Sequence, residues 1–353
     1  MIYFTQGTQR KLFEGRMQGE TEMKTRHVLS ILDVSPDELL ELIENAVAIG
    51  ANRATTVSPL IGSTVGIYFR CSSTRTRTSF TVAAHRLGAE TIHYGPNDLQ
   101  LVTGETLGDT ARVLSGFLKA LVIRTNQSVS EMKLLASQDR MSVINAMSEN
   151  EHPTQAIADL ATIRESFGRL HDLHVLYLGE GNNTAASLAL AISRLPGMQL
   201  TLVTPDGYGL PDDTIEKAQT LAREYGARVE QYHGVDRLPG NVDVVYTTRW
   251  QTMGVQKSDP DWKTKFQPYG VTSELMAQVS KPTGTIFLHD LPAVRGDDVT
   301  DMVLDGPQSR AFRQAEYKLF AAMSVLSWCV GAEIDKRDEF ISSRISESVA
   351  AVY

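Results

Sequence analysis

Between Phe69 and Phe80 the chain alternates hydroxyls and guanidinium groups: Arg70, Cys71, Ser72, Ser73, Thr74, Arg75, Thr76, Arg77, Thr78, Ser79. A β-rich run, 64–69, precedes this stretch, and a helical pattern, 76–87, begins inside it. A helix N-terminus presents backbone N–H groups without intrahelical partners and a partial positive charge, which together suit an anion. Ser73, Thr74 and Thr76 add hydroxyl donors, and Arg75 adds a planar fork that matches phosphate. The segment therefore predicts an oxyanion cradle. The competing account is a solvated basic turn with a good cap.

Other segments carry polar groups at strand-to-helix junctions. In Glu151-His152-Pro153-Thr154-Gln155 a proline fixes the turn, so His152 and Gln155 can point into one cleft; alone, His152 reads as a capping residue. Arg124 ends a β-like run, and Asp98 to Thr106 is a polar stretch containing Gln100. Gly179-Glu180-Gly181-Asn182-Asn183 resembles a dinucleotide loop, but Thr184 follows where a third glycine would complete the fingerprint. His289-Asp290-Leu291-Pro292 closes the series, with Arg295-Gly296 after it. Cys71 reads as small-residue filling, since no general base stands beside it.

These residues need elements to hold them. Ser35-Pro36-Asp37-Glu38 has the pattern of a capping box before an amphipathic helix. Strands are expected at 64–69, 120–123, 142–145, 173–178, 199–203, 242–246 and 285–288. Helices are expected at 76–87, 106–117, 154–167, 185–195, 212–225 and 314–330, and another near 339–349. In the last long helix Leu319, Phe320, Met323, Leu326 and Val330 form a core stripe. Such alternation implies an α/β protein of two doubly wound parallel-sheet domains linked by helices. Ligands in open α/β sheets sit beyond the carboxyl ends of the strands, so the loops after Phe69, Ile123, Asn145, Leu178, Tyr246 and Leu288 should carry the chemistry. The expected divisions are an arm, 1–22; a first domain, 23–150; a second domain, 151–313; and a returning C-terminal helix, 314–353.

With 353 residues, 42% of them hydrophobic, there is material for two cores. A net charge of −8 weighs against a nucleic-acid partner, and an anionic substrate would need a local basic pocket. Two cysteines, Cys71 and Cys329, exclude a disulfide framework and point to a reducing compartment, the cytoplasm. No metal-ligand spacing, secretory signal or membrane-length apolar run is legible, so neither a metal nor a membrane is expected.

Taken in order, Ser73-Thr74-Arg75-Thr76-Arg77, the run 98–114, Arg124, His152-Pro153-Thr154-Gln155, Gly179 to Asn183 and the run 289–303 resemble the aspartate/ornithine carbamoyltransferase family. The resemblance covers His27 to Trp328 and is nearest the ornithine branch. It implies transfer of a carbamoyl group from carbamoyl phosphate to an amino-acid amine, without a cofactor. Ser73, Thr74, Arg75 and Thr76 would hold the phosphate. Arg124, His152 and Gln155 would hold the carbamoyl end, with Thr76 helping at the carbonyl oxygen. Leu291 would grip the carbamoyl amino group through its backbone carbonyl. Gln100 would reach the neighbouring subunit's site in a homotrimer.

Several positions depart from the ornithine pattern. Cys71 stands where that branch carries lysine, and Lys318, in Ala315-Glu316-Tyr317-Lys318, stands where an arginine contacts carbamoyl phosphate. Thr248, followed by Arg249, occupies the position of an aspartate that holds the α-ammonium group of ornithine, while Asp290 replaces the cysteine of a His-Cys-Leu-Pro motif. A carboxylate has left one wall of the acceptor site and arrived on another. The expected acceptor set is Asn183, Thr248, Arg249, Thr252, Met253 and Asp290, although Trp250 and Met253 are also natural packing residues. The expected acceptor is an amine other than ornithine, for instance a short diamino acid such as 2,3-diaminopropionate. Rival readings are a true ornithine enzyme in which Asp290 compensates for Thr248, a non-catalytic family member, and a Rossmann dehydrogenase.

Overall fold

A computed structural model describes residues 25–52, 54–55, 58–99, 104–251, 256–332 and 334–336. The arm 1–22 and the helix expected near 339–349 lie outside these residues. Helix α1 (Pro36–Gly50) opens as expected. The Glu38 N–H donates to the Ser35 hydroxyl at 3.2 Å, and the Ser35 N–H donates to the Glu38 carboxylate at 2.8 Å.

The first half then runs β1 (Ala54–Thr55), β2 (Thr64–Phe69), α2 (Arg75–Arg86), β3 (Glu90–Tyr94), α3 (Leu107–Leu114), β4 (Ala120–Arg124), α4 (Ser130–Leu135), β5 (Ser142–Asn145) and α5 (Pro153–Phe167). The second half runs β6 (His174–Leu178), α6 (Asn183–Ile192), β7 (Gln199–Thr204), α7 (Asp212–Tyr225), β8 (Arg228–His233), β9 (Val244–Thr247) and α8 (Trp262–Phe266). It continues through α9 (Ser273–Val279), β10 (Ile286–His289), α10 (Asp301–Leu304), α11 (Ala311–Cys329) and β11 (Asp335–Lys336).

Two sheets result, ordered β3-β2-β4-β5 and β10-β9-β6-β7-β8, and every neighbouring pair in both is parallel. A separate two-stranded antiparallel pair joins β1 to β11. In the first sheet the chain reverses direction of growth between β2 and β4; in the second, between β6 and β9. Those crevices are where a parallel sheet opens to a ligand. They lie below the 70–75 loop and Arg124 on one side, and below the Gly179–Asn182 turn and Thr248 on the other.

Strands β3 and β8 were not expected from the sequence. Both are sheet edges, and they carry Glu90, His93, Arg228 and Glu230 in place of the apolar runs that mark central parallel strands. Helices α2 and α6 begin one and two residues earlier than expected, and α3 ends at Leu114 rather than Phe117.

The main apolar cluster spans both halves. It takes Ile67 and Val122 from the first sheet, Val175 and Val244 from the second, and Leu39, Ala84, Ile157, Leu188 and Leu326 from the helices between. Helix α11 packs against α1, α2 and α5, with Met323 and Leu326 buried and Leu319, Phe320 and Val330 partly so. Polar ties also hold the first half to the segment leading into α5. Asn145 donates to the Leu29 carbonyl at 2.7 Å, and the Glu151 carboxylate accepts from the Ser30 hydroxyl at 2.6 Å and the Ile31 N–H at 3.0 Å.

Ser35 is exposed and remote from the crevices. Ser35→Ala should lower the unfolding free energy by about 1 kcal/mol with an unchanged urea m-value, leaving turnover by the folded protein as it was.

Candidate active site

The two crevices face one cleft that is open to solvent. Ser73, Arg75 and Thr76 line it from the start of α2. Thr74 occupies the N-cap position, but its hydroxyl caps nothing; the residue is exposed and does not line the cleft. By contrast α1, α3, α6 and α9 are each capped by a side-chain oxygen. The N-terminus of α2 therefore has no side-chain cap, as is also true of α5, α7 and α11, and the well-capped basic turn does not describe it.

Arg124 enters from the end of β4, 5% exposed, with Nη1 3.4 Å from the Thr76 hydroxyl. Burial lowers the pKa of both Arg75 and Arg124; Asp290 opposes it at Arg75, and Cys71, then Asp290, opposes it at Arg124. An arginine stays charged regardless. His152 stands at the N-cap position of α5, yet its ring makes no cap. It lines the cleft with Nδ1 unpartnered, which corrects the capping account. Burial, then Lys318 and Arg124, hold its pKa well below the ordinary value, so the imidazole is neutral.

Below His152 lies a buried polar network that the sequence reading missed. Gln155 donates through Nε2 to Asp159 at 2.7 Å and accepts from the Lys318 ammonium through Oε1. Asp159 also accepts from Gln314 at 2.6 Å and from the Tyr246 hydroxyl at 3.0 Å. Burial raises the Asp159 pKa to about 7 against these donors, and lowers that of Lys318 to about 8 against Asp290 and Asp159. A signal for Asp159 existed: a lone carboxylate within the apolar run 156–163, one helical turn beyond Gln155.

On the opposite wall Asp290 is held by two hydroxyls. Asp290 accepts from the Thr248 hydroxyl at 3.0 Å and from the Thr184 hydroxyl at 3.1 Å, and Asn182 donates to Thr248 at 3.2 Å. Asn183 and Arg249 also line the cleft. The Asn183 amide donates to the Ser148 carbonyl at 2.7 Å, and Arg249 makes no ion pair among the described residues. Trp250 is buried against Phe266, ring centroids 5.7 Å apart, as expected of a packing residue. Gln100, Thr252 and Met253 lie outside the described residues. Among the described lining residues the cleft thus holds four cations, Arg75, Arg124, Arg249 and Lys318, and one carboxylate, Asp290.

The turn that carries Asp290 is braced from behind. His289 Nδ1 accepts the Leu291 N–H at 2.8 Å, so the proton sits on Nε2 and is donated to Asp298 at 2.6 Å. The His289 N–H in turn donates to Gln314 at 2.9 Å, tying this turn to the Asp159 network. Leu291 and Pro292 line the cleft, Leu291 with φ +52°.

The glycines of the Gly179–Asn183 turn answer to packing. Gly179 has φ +115°, and a Cβ on Gly181 would stand 2.3 Å from the Leu210 nitrogen and 2.4 Å from the Gly209 carbonyl carbon. The close approach belongs to the chain's own 209–210 backbone, where a dinucleotide loop would admit a pyrophosphate.

Comparison with known proteins matches both halves of the chain. Residues 26–165 match the family model for the carbamoyl-P binding domain of aspartate/ornithine carbamoyltransferase, and residues 171–329 match that for its Asp/Orn binding domain. The chain is 37% identical over 310 residues to an ornithine carbamoyltransferase of Oceanobacillus iheyensis, covering 87% of this chain and 95% of that one. It is 39% identical over 309 residues to one of Caldicellulosiruptor saccharolyticus, covering 87% and 99%. Among solved structures, the ornithine carbamoyltransferase from Pyrococcus furiosus superposes with a TM-score of 0.81 at 36% identity, over 88% of this chain and 99% of that one.

Asp298→Ala would leave a buried imidazole N–H without a partner. Urea unfolding should register a loss of about 1–3 kcal/mol. A change under 0.5 kcal/mol would mean that His289 finds another acceptor.

Proposed function

The chain belongs to the aspartate/ornithine carbamoyltransferase family, and we propose that it moves the carbamoyl group of carbamoyl phosphate to an amino-acid amine facing Asp290, releasing phosphate and a ureido product. The observation that carries the donor half is the union of an uncapped helix N-terminus with Arg75, Arg124 and Lys318 in one cleft. A dianion leaving from that corner meets fixed positive charge and N–H donors that need no reorganisation.

In this reading the phosphate is held by Ser73, Arg75, Thr76 and the Thr74 backbone. Arg124, Thr76 and neutral His152 stabilise the carbonyl oxygen as the amine adds and negative charge grows there. Gln155 keeps one amide hydrogen and one oxygen lone pair beyond its bonds to Asp159 and Lys318, enough to orient the carbamoyl group with the Leu291 carbonyl. The C–N bond forms, the C–O bond to phosphate breaks, and the departing phosphate takes the amine's proton. Family resemblance further suggests a cytoplasmic homotrimer in which Gln100 serves a neighbouring subunit.

For the acceptor, Asp290 is the carboxylate available in the cleft to hold a second ammonium group, with Asn183, Thr248, Arg249, Thr252 and Met253 around the remainder. Asp290 also feels Arg75, Arg124 and Lys318 electrostatically, so it stands close to the donor corner. An anchor at that depth shortens the span from bound ammonium to attacking nitrogen, which favours a short diamino acid such as 2,3-diaminopropionate. One observation favours ornithine as a second reading: the hydroxyl that replaces the usual aspartate, Thr248, donates directly to Asp290, as a compensating exchange would require.

Steady-state rates over a panel of amines decide between them. The first reading expects a short diamino acid to exceed ornithine in kcat/KM, and ornithine ahead by a wide margin establishes the second. Arg75→Ala should cost 100-fold or more in kcat/KM for carbamoyl phosphate, about 3 kcal/mol, whatever the acceptor. Asp290→Asn should raise KM for the acceptor far more than for carbamoyl phosphate.

A further inference from the structure

We propose that Asp159 is a positioning residue that acts through Gln155 to hold Lys318 as a charged ammonium in the donor half of the cleft, so that one proton on Lys318 governs capture of the dianionic donor. This deepens the proposed function and rests on it.

The argument begins with how the three side chains are locked together. Lys318 leaves α11 only 8% exposed and lines the cleft. Gln155 has an ammonium at its oxygen and a carboxylate at its nitrogen, so its amide can take only one orientation, with its dipole aligned between the two charges. Asp159 is fully buried and faces three donors: Gln155 Nε2, Gln314 Nε2 and the Tyr246 hydroxyl. Of these three partners only the Tyr246 hydroxyl could accept a hydrogen from a protonated Asp159, and it already accepts from Gln314, whereas the anion uses all three as donors. The geometry therefore supports the anion against the burial that raises its pKa. That anion has a purpose only if a cation is near, and within this shell the cation is Lys318, one amide away.

The groups facing Lys318 set the balance. From α5 come Asp159, Gln155 and neutral His152. Arg75 comes from α2, Arg124 from β4 and Asp290 from the turn after β10, while Tyr246 of β9 backs Asp159. The two carboxylates favour the charged lysine; burial and the two arginines oppose it, and its pKa falls to about 8. An arginine here would stay charged at any ordinary pH. With lysine, the positive charge is present below about pH 8 and is lost above it, and a bound dianion pulls the proton back.

Binding of inorganic phosphate, followed by calorimetry from pH 7.5 to 9.5 where the probe is already mostly a dianion, tests this directly. The wild-type Kd should rise toward tenfold per pH unit above a break near pH 8. Lys318→Arg should bind with no such break. Lys318→Gln should match at all pH values the weak affinity of the wild type at high pH. In Asp159→Asn, which keeps the shape of the side chain, the break should move to lower pH. Wild-type affinity that stays level across the range would overturn the proposal, as would a break that survives in Lys318→Arg. Should Asp159→Asn not fold, the two Lys318 variants still decide the lysine's part, and Gln155→Leu, which cuts the link while leaving both charges, takes its place with the same expected shift. An unmoved break in the linking variant would overturn the role of Asp159. Failure of the carbamoyl-transfer reading looks different: no uptake of carbamoyl phosphate at any pH by any variant.

Discussion

Like charges gathered in a confined space are the constraint around which this protein is organised. Arg75, Arg124 and Lys318 converge on the uncapped start of α2, and without a ligand they repel one another. Such a cluster persists only where opposite charge and hydrogen bonds are supplied from behind. Asp290 supplies it from the acceptor wall, and Asp159 supplies it from the core through Gln155. The cleft thus gathers positive charge against an overall charge of −8.

The two parallel sheets follow from the need to bring those groups together. Each sheet opens at the point where its strand order reverses, and α5 and α11 carry Gln155 and Lys318 to the gap from the shared core. Gln314 links the backs of both walls, bonding at once to Asp159, to Tyr246 and to the His289 N–H.

Much of this was legible in the sequence because it depends on local pattern. The central strands are apolar runs, Ser35 and Glu38 form the capping box their spacing implies, and Ser73, Arg75, Thr76, Arg124, His152, Gln155, Asn183, Thr248, Arg249, Asp290, Leu291 and Lys318 all line one cleft. What escaped depends on contacts between distant segments. Edge strands β3 and β8 carry polar residues because one side of each lacks a neighbour, which removes the pattern that marks a strand. Asp159 looked like an ordinary helical residue, since its partners Gln314 and Tyr246 are 155 and 87 positions away.

Strand register carries a consequence for how selectivity changes in such a scaffold. His289 of β10 lies opposite Thr247 of β9, so the residues that follow, 290 and 248, leave adjacent strands side by side and share a hydrogen bond. One strand register therefore sets where both side chains stand, and a change at either position alters what the other can bond to while both backbones remain held by the sheet.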